Sequence, residues 1–125
     1  SYKSDVVVPP GSSKGKLRNH AFIVIRDCDA ATASIASLLK SQDSDLKVTI
    51  SVFKAGGDSS KDLQSHLEFV LEGARVNCHA IVTGGTPKRP CDIIFFDYTK
   101  LEIRSAPQQQ TGARGAVRTC TFAGN

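Results

Sequence analysis

Two uninterrupted apolar runs of strand length constrain the fold most strongly. Residues 21–25 read AFIVI and residues 93–96 read IIFF. Successive side chains of a β-strand point to opposite faces, so a continuous apolar run predicts a strand that is covered on both faces. Neither run approaches the ~20 residues that a membrane-crossing helix needs. The sequence therefore predicts buried strands at about 21–26 and 92–97 and no membrane insertion of this segment.

Other segments carry weaker periodic patterns. Residues 46–53 alternate apolar and polar side chains, which predicts an edge strand with one solvated face. Short strands are also indicated at residues 5–8 and 116–122. A helix is predicted where Asp29 can act as the N-cap and where one helical face carries Ile35, Leu38 and Leu39.

A second helix is predicted from another stripe of apolar side chains, with a capping box at its start. The capping box pairs Ser59 with Asp62, and the stripe consists of Leu63, Leu67, Val70 and Leu71. Residues 84–90 and 107–112 are rich in turn-forming residues and are predicted to be loops.

Composition fits one small globular domain. The chain has 125 residues with 40% hydrophobic residues and a net charge of +4. This mild positive charge, with few aromatic residues, argues against a nucleic-acid partner. The four cysteines lack the C-x-x-C spacing of zinc sites, which favours free thiols in a cytoplasmic protein. We expect a flexible lead-in at residues 1–16 and a single domain over residues 17–125.

The order strand, helix, strand, helix, strand predicts an α/β fold. The expected architecture is a three-layer, doubly wound, mainly parallel sheet of the flavodoxin or receiver type, incomplete or with an insertion at about 72–90. In such a sheet the carboxyl ends of the strands meet at one edge. Asp27, Asp29 and Asp97 follow two of these strands, and converging carboxylates suit Mg²⁺.

Two segments resemble response-regulator receiver domains, especially those of hybrid histidine kinases. Residues 17–27 (LRNHAFIVIRD) resemble the family's opening strand, and residues 92–97 (DIIFFD) are similar to its third strand. The resemblance implies that Asp97 is the phosphoacceptor-like residue. It also implies that Asp27 and Asp97 are metal ligands and that the backbone carbonyl of Thr99 helps to hold the metal.

Several departures imply a degenerate receiver without phosphotransfer. Arg26 stands where the family has an acid, and no room remains for the family's final strand with its lysine. We expect Arg26 to form an ion pair with Asp27 or Asp97 and so to weaken Mg²⁺ binding. The expected function is a non-catalytic regulatory or docking domain of a sensor kinase, with no required cofactor. Its expected partners are other domains of the parent kinase or a signalling protein.

An alternative uses the same residues for an enzyme. Asp27 and Asp29, with Gly57 and Asp58 downstream, resemble the Toprim fold of primases and topoisomerases. That resemblance implies a Mg²⁺-dependent nucleic-acid enzyme in which the two aspartates hold the metal. The family also needs a glutamate on an earlier strand, and no glutamate precedes residue 20.

Overall fold

The computed structural model describes residues 1–53, 65–85, 88–106 and 116–123. Its strands, in chain order, are β1 (Ser4–Val7), β2 (Lys16–Asn19), β3 (Phe22–Asp27), β4 (Leu46–Phe53), β5 (Ser65–Val82), β6 (Cys91–Asp97), β7 (Lys100–Ser105) and β8 (Arg118–Ala123). One helix, α1 (Thr32–Ser41), follows β3. Within the described ranges, no helix is long and apolar enough to cross a membrane.

All pairings between these strands are antiparallel. The small sheet contains β1 and β2, and the large sheet runs in the order β3-β6-β5-β7-β8, with β4 also paired to β5. The 18-residue β5 therefore belongs to two parts of the structure. Its first half lies between β4 and β7, and its second half pairs with β6.

The predicted doubly wound parallel fold is wrong. β3 and β6 are direct neighbours, and their register places Ile25 opposite Ile93 in an antiparallel ladder. A continuous apolar run shows that both faces of a strand are apolar, but it does not give the direction of the neighbouring strand. Strand β4 occupies residues 46–53 as predicted, yet it pairs with β5 and not with β3.

The predicted insertion and second helix are also wrong. Residues 72–82 form the second half of β5, the central strand of the sheet, so they are no insertion. Leu67, Val70 and Leu71 lie in the first half of that strand, while Ser59, Asp62 and Leu63 fall outside the described residues. Val70 and Leu71 are both buried, so β5 is covered on both faces there. Because this strand is apolar on both faces, its apolar residues do not alternate with polar ones. Some of them therefore fall three or four positions apart, which is the spacing of an apolar helix face.

Helix α1 confirms the first helix prediction, with one change at its start. The side chains of Ile35, Leu38 and Leu39 pack against the core as expected. The N-cap position is occupied by Ala31, and Asp29 instead accepts the Ala31 backbone N–H on its carboxylate at 2.8 Å. The core against which the helix packs consists of Phe22, Leu71, Ala74, Val76, Ile94, Phe96 and Leu101.

The N-terminal strand β1 forms a hairpin with β2. The backbone of residues 1–3 is also hydrogen-bonded to residues 20–23, where β3 begins. The His20 backbone N–H donates to the Lys3 carbonyl, and the Ile23 N–H donates to the Ser1 carbonyl, both at 3.0 Å. The strand expected at residues 5–8 is thus present as β1, and the expected boundary at residue 16 falls at the start of β2.

Gly73 lies where β5 passes from its pairing with β7 to its pairing with β6. Glu72 pairs with Lys100 on β7, and Arg75 pairs with Asp97 on β6. Gly73 has a φ of +58°, and a Cβ added there would lie 2.2 Å from Thr99 Oγ1. Thr99 is fixed in place because its backbone N–H and its hydroxyl both donate to the Glu72 carbonyl. Both the backbone angle and the neighbouring side chain therefore require glycine.

We expect Gly73→Ala to lower the free energy of unfolding by about 3 kcal/mol, because it adds a left-handed backbone penalty and a steric clash. Urea denaturation followed by circular dichroism measures the change. Gly84→Ala is the matched control, since Gly84 has a φ of +76° but nothing lies within 4 Å of the position that a Cβ would occupy. Gly84→Ala should lose clearly less, and Thr99→Ala should partly rescue Gly73→Ala. Equal losses at both glycines would contradict the packing argument.

Candidate functional site

A buried carboxylate near the start of β6 organises the polar interior. Asp92 is fully buried, and its side chain accepts hydrogen bonds on both oxygens. Oδ1 lies 2.7 Å from His79 Nε2 on β5. Oδ2 accepts from the Thr32 hydroxyl at 2.8 Å and from Arg26 Nη1 at 3.2 Å. Asp92 thus links β3, β5, β6 and α1 at one point.

The same cluster fixes the turn between β3 and α1. Arg26 Nη2 donates to Asp29 Oδ2 at 2.6 Å, so the guanidinium bridges Asp29 and Asp92. The Asp29 backbone N–H donates to Thr32 Oγ1 at 3.0 Å, while the same hydroxyl donates its proton to Asp92. The first turn of the helix is therefore held over the sheet by a continuous chain of hydrogen bonds and ion pairs.

Burial and hydrogen bonding act on Asp92 in opposite directions. Burial by itself would raise its pKa, but hydrogen bonds from His79, Thr32 and Cys28 outweigh that effect and hold the pKa below its ordinary value. The hydrogen bond from Arg26 likewise lowers the pKa of Asp29. Burial raises the pKa of the Cys28 thiol, which favours its protonated form. The cluster stabilises an ionised Asp92.

This geometry suits a structural role better than a catalytic one. A nucleophilic triad needs a hydroxyl or thiol bonded to the histidine. Here the contacts of the described residues join His79 to Asp92, and the Thr32 proton points to the carboxylate. Both oxygens of Asp92 are already engaged, so the carboxylate is not oriented toward a substrate.

The structure separates the residues predicted to form a metal pocket. Because β3 and β6 are antiparallel, Asp27 lies opposite Cys91 at one end of the pair, and Asp97 lies at the other end. Asp97 accepts from Asn77 Nδ2 at 2.8 Å and lies 3.4 Å from Arg75. Thr99 is bonded to the Glu72 carbonyl. Carboxyl ends of strands converge only in parallel sheets, which explains why the predicted convergence does not occur.

Arg26 does form an ion pair, although with other partners than expected. It binds Asp29 and Asp92, and neither Asp27 nor Asp97. Over the described ranges, no group of three or more His, Cys, Asp or Glu side chains is placed to hold a metal ion. Weak or absent Mg²⁺ binding stays a prediction, and so does the free-thiol state of the four cysteines, which form no disulfide here.

The sequence did contain a signal for the missed residue Asp92. An acidic residue that opens an otherwise apolar strand must either reach solvent or find buried partners. The sequence did not indicate that His79 is buried, because a histidine in a strand can lie either at the surface or in the interior. What joins the two is the antiparallel register of β5 and β6, which no local pattern specifies.

A second feature is the apolar surface on the side of the sheet away from α1, which we call the outer face. Residues directly opposite each other in paired strands share a face. The registers therefore group Ile23, Ile25 and Asp27 of β3 with Phe95, Ile93 and Cys91 of β6 and with Cys78, Ala80 and Val82 of β5. None of them joins the core or packs against it. Ile25 is 68% exposed.

A further apolar surface lies on the β1–β2 hairpin and the residue that follows β1. We call it the hairpin patch. Val6 and Leu17 lie opposite each other on one face of the hairpin, Val7 lies on the other face opposite Lys16, and Val8 follows β1. All four apolar side chains are exposed. Val7 and Leu17, with Lys16 and Arg18, line a shallow groove of about 320 Å³. In the described part of the chain, the outer face and the hairpin patch are thus apolar surfaces that are not part of the core.

The fold resembles that of proteins from type VI secretion systems. A solved type VI secretion system protein matches 98% of this chain and 78% of its own, with a TM-score of 0.80 and 18% identity. An effector of this system from Yersinia pestis matches 98% of this chain and 80% of its own, with a TM-score of 0.68 and 16% identity. The secreted protein Hcp3 from Pseudomonas aeruginosa matches 100% and 73%, with a TM-score of 0.69 and 14% identity.

At these identities the similarity shows the fold, which is the antiparallel β fold of the Hcp proteins. No protein-family model matches the sequence, and no curated protein is significantly similar to it. The predicted receiver domain of a histidine kinase is therefore wrong, and so is the Toprim alternative. Both resemblances relied on acidic residues after apolar strands, a pattern that antiparallel strands also produce.

We expect Asp92→Asn to lower the melting temperature by roughly 10 °C, because the substitution leaves Arg26 without its buried counter-charge. The folded pKa of Asp92 lies below its ordinary value of 3.8, so its stabilisation is complete above that pH and is lost as the pH falls through the folded pKa. The difference in free energy of unfolding between the wild type and the variant should therefore stay constant from pH 6 down to about pH 4 and shrink as the pH falls further.

Thermal and urea unfolding at several pH values measure this difference. Asp97→Asn is the control, because the Asp97 side chain is 49% exposed and its ion pair with Arg75 contributes little. A variant at Asp92 that is as stable as the one at Asp97 would show that the buried cluster does not hold α1 on the sheet.

Proposed function

We propose that this chain is a structural component of a type VI secretion system and that it assembles with copies of itself. The observation that carries the proposal is the fold, which matches a type VI secretion system protein over 98% of this chain at a TM-score of 0.80. The similar solved structures include an effector of this system and a protein described as secreted.

The surface of the chain supports self-assembly. A monomer rarely leaves contiguous apolar patches of more than a few hundred Å² in contact with water. Here the outer face and the hairpin patch both carry exposed aliphatic side chains, including Ile25, Val82, Val6 and Leu17. Covering such side chains contributes about 25 cal/mol for each Å² of apolar surface removed from water.

The polar interior supports a non-catalytic role. Asp92, the one fully buried carboxylate among the described residues, is bonded on both oxygens to groups of this chain. The expected cytoplasmic location becomes part of the proposal, because a chain with four free cysteines is suited to folding in a reducing compartment before export.

We expect an epitope-tagged copy of the chain to appear in the culture medium of a host strain whose type VI secretion system is intact. It should be absent from the medium of the same strain with that system disrupted, while its amount inside the cells is unchanged. Immunoblots of cells and medium measure both. A cytoplasmic enzyme probed on the same blots controls for lysis. Equal amounts in the two media, or none in either, would contradict the proposal.

A further inference from the structure

We propose that the tip of the β1–β2 hairpin, residues 6–17, binds the surface of anionic membranes. The binding is peripheral, so no segment crosses the bilayer. This inference goes beyond the proposed function and does not depend on it, because it concerns the hairpin of a copy that has no neighbouring copy on it.

The hairpin tip projects from the body of the molecule. Every residue from 6 to 18 is exposed. The base of the hairpin is instead anchored, because the Ser4 hydroxyl donates to Oδ1 of the buried Asn19 at 2.6 Å and the His20 backbone N–H donates to the Lys3 carbonyl at 3.0 Å. An exposed tip on an anchored base can reach a flat surface such as a bilayer.

The loop at the tip is already ordered in the free chain. The Ser12 backbone N–H donates to the Pro9 carbonyl at 3.1 Å, and Gly11 has a φ of +80°. Pro10 and Gly11 are the residues that a type II turn favours at its two central positions. The Ser12 hydroxyl also donates to the Lys14 carbonyl at 2.9 Å. A preformed loop loses less conformational entropy when it binds.

The hairpin patch makes this tip apolar on both of its sides. Val6 and Leu17 lie on one face of the two-stranded sheet, and Val7 lies on the other. Val6 and Val8 are 59% and 58% exposed. A flat protein surface covers only one side of a narrow ribbon, whereas the headgroup layer of a membrane surrounds it. The transfer of these aliphatic side chains into that layer is favourable.

Charge selects the kind of membrane. The first 19 residues contain four basic residues and one acidic residue, so they carry +3 of the chain's net charge of +4. Arg18 is paired with Asp5 through hydrogen bonds of 2.9 and 2.7 Å. Lys14 and Lys16, within the tip, form no ion pair with any described residue, and the tip contains no acid. Free ammonium groups of this kind attract anionic lipids.

The combination of lysines and aliphatic side chains fits a bilayer better than another polyanion. A lysine stem lies along apolar surface while its ammonium group reaches a phosphate. The groove of about 320 Å³ places Lys16 beside Val7 and Leu17, so a lipid headgroup and the start of its acyl chains both meet matching chemistry. A nucleic acid would leave the aliphatic side chains unused, and the tip has no aromatic residue on which bases could stack.

Vesicle flotation tests the proposal on the unmodified chain at high dilution. The protein should float with vesicles that contain phosphatidylglycerol as well as phosphatidylcholine, and it should not float with vesicles of phosphatidylcholine alone. Raising the salt from ~0.1 M to ~1 M should release it, because the Debye length falls from ~10 Å to ~3 Å. Inorganic phosphate at the same concentration as the lipid should not displace it.

Substitutions test the lysines of the tip. Lys14→Gln and Lys16→Gln should each weaken binding to the anionic vesicles about fivefold, and the double variant about twenty-five-fold. Lys40→Gln is the matched control, because it removes the same charge from an exposed position on α1, and it should leave binding unchanged. Circular dichroism checks that each variant is folded.

A tryptophan reporter tests where the membrane is bound. The chain contains no tryptophan, so Val8→Trp introduces a single one at the tip. Its fluorescence should shift to shorter wavelength when anionic vesicles are added. Ser37→Trp, at an exposed position on α1, should show no shift.

Several outcomes would overturn the inference. Absence of flotation, or equal flotation with both kinds of vesicle, would show that the tip does not recognise anionic membranes. Displacement by inorganic phosphate would reduce the tip to a site for small anions. A spectral shift at Ser37→Trp with none at Val8→Trp would assign the membrane contact to another surface. Lysine variants that bind vesicles normally but fail to assemble in light scattering would show that the tip serves only contacts between copies. The export experiment decides the secretion role separately.

Discussion

The structure depends on one strand that serves two halves of a sheet. β5 pairs with β4 and β7 along its first half and with β6 along its second half, so most of the large sheet is joined through it. Between the two halves the backbone of β5 makes a local turn. Gly73 provides that turn with a left-handed backbone angle, and Thr99 closes the space beside it.

The buried charge of Asp92 decides where the helix sits. Apolar packing by Leu38 and Leu39 draws α1 onto the sheet, but packing of this kind tolerates small shifts and rotations. Hydrogen bonds to a buried carboxylate are more demanding, because an unpaired donor or acceptor in the interior carries a large penalty. Thr32 and Arg26 therefore fix the start of the helix relative to β3 and β6.

Apolar faces have two uses in this molecule, and the difference matters for function. The inner face of β3, β6 and β5 builds the core, and the outer face of the same strands remains in contact with solvent. Exposed apolar surface lowers the solubility of a monomer, which supports the proposed assembly of this chain with copies of itself. The fold similarity to type VI secretion proteins and the surface chemistry thus point in the same direction.

The sequence by itself determined where several elements lie: the strands at residues 21–26, 46–53 and 92–97 and the helix around Leu38 were all indicated by local periodicity. The sequence also indicated that Arg26 forms an ion pair, but it did not indicate that the partners are Asp29 and Asp92. Only the tertiary structure decided strand direction, the identity of residues 65–82 as one long strand and the meeting of His79 with Asp92. Side-chain alternation is the same for parallel and antiparallel neighbours, so direction leaves no local mark on the sequence. A strand covered on both faces loses its period of two, so its apolar residues can fall at helical spacing and be mistaken for a helix.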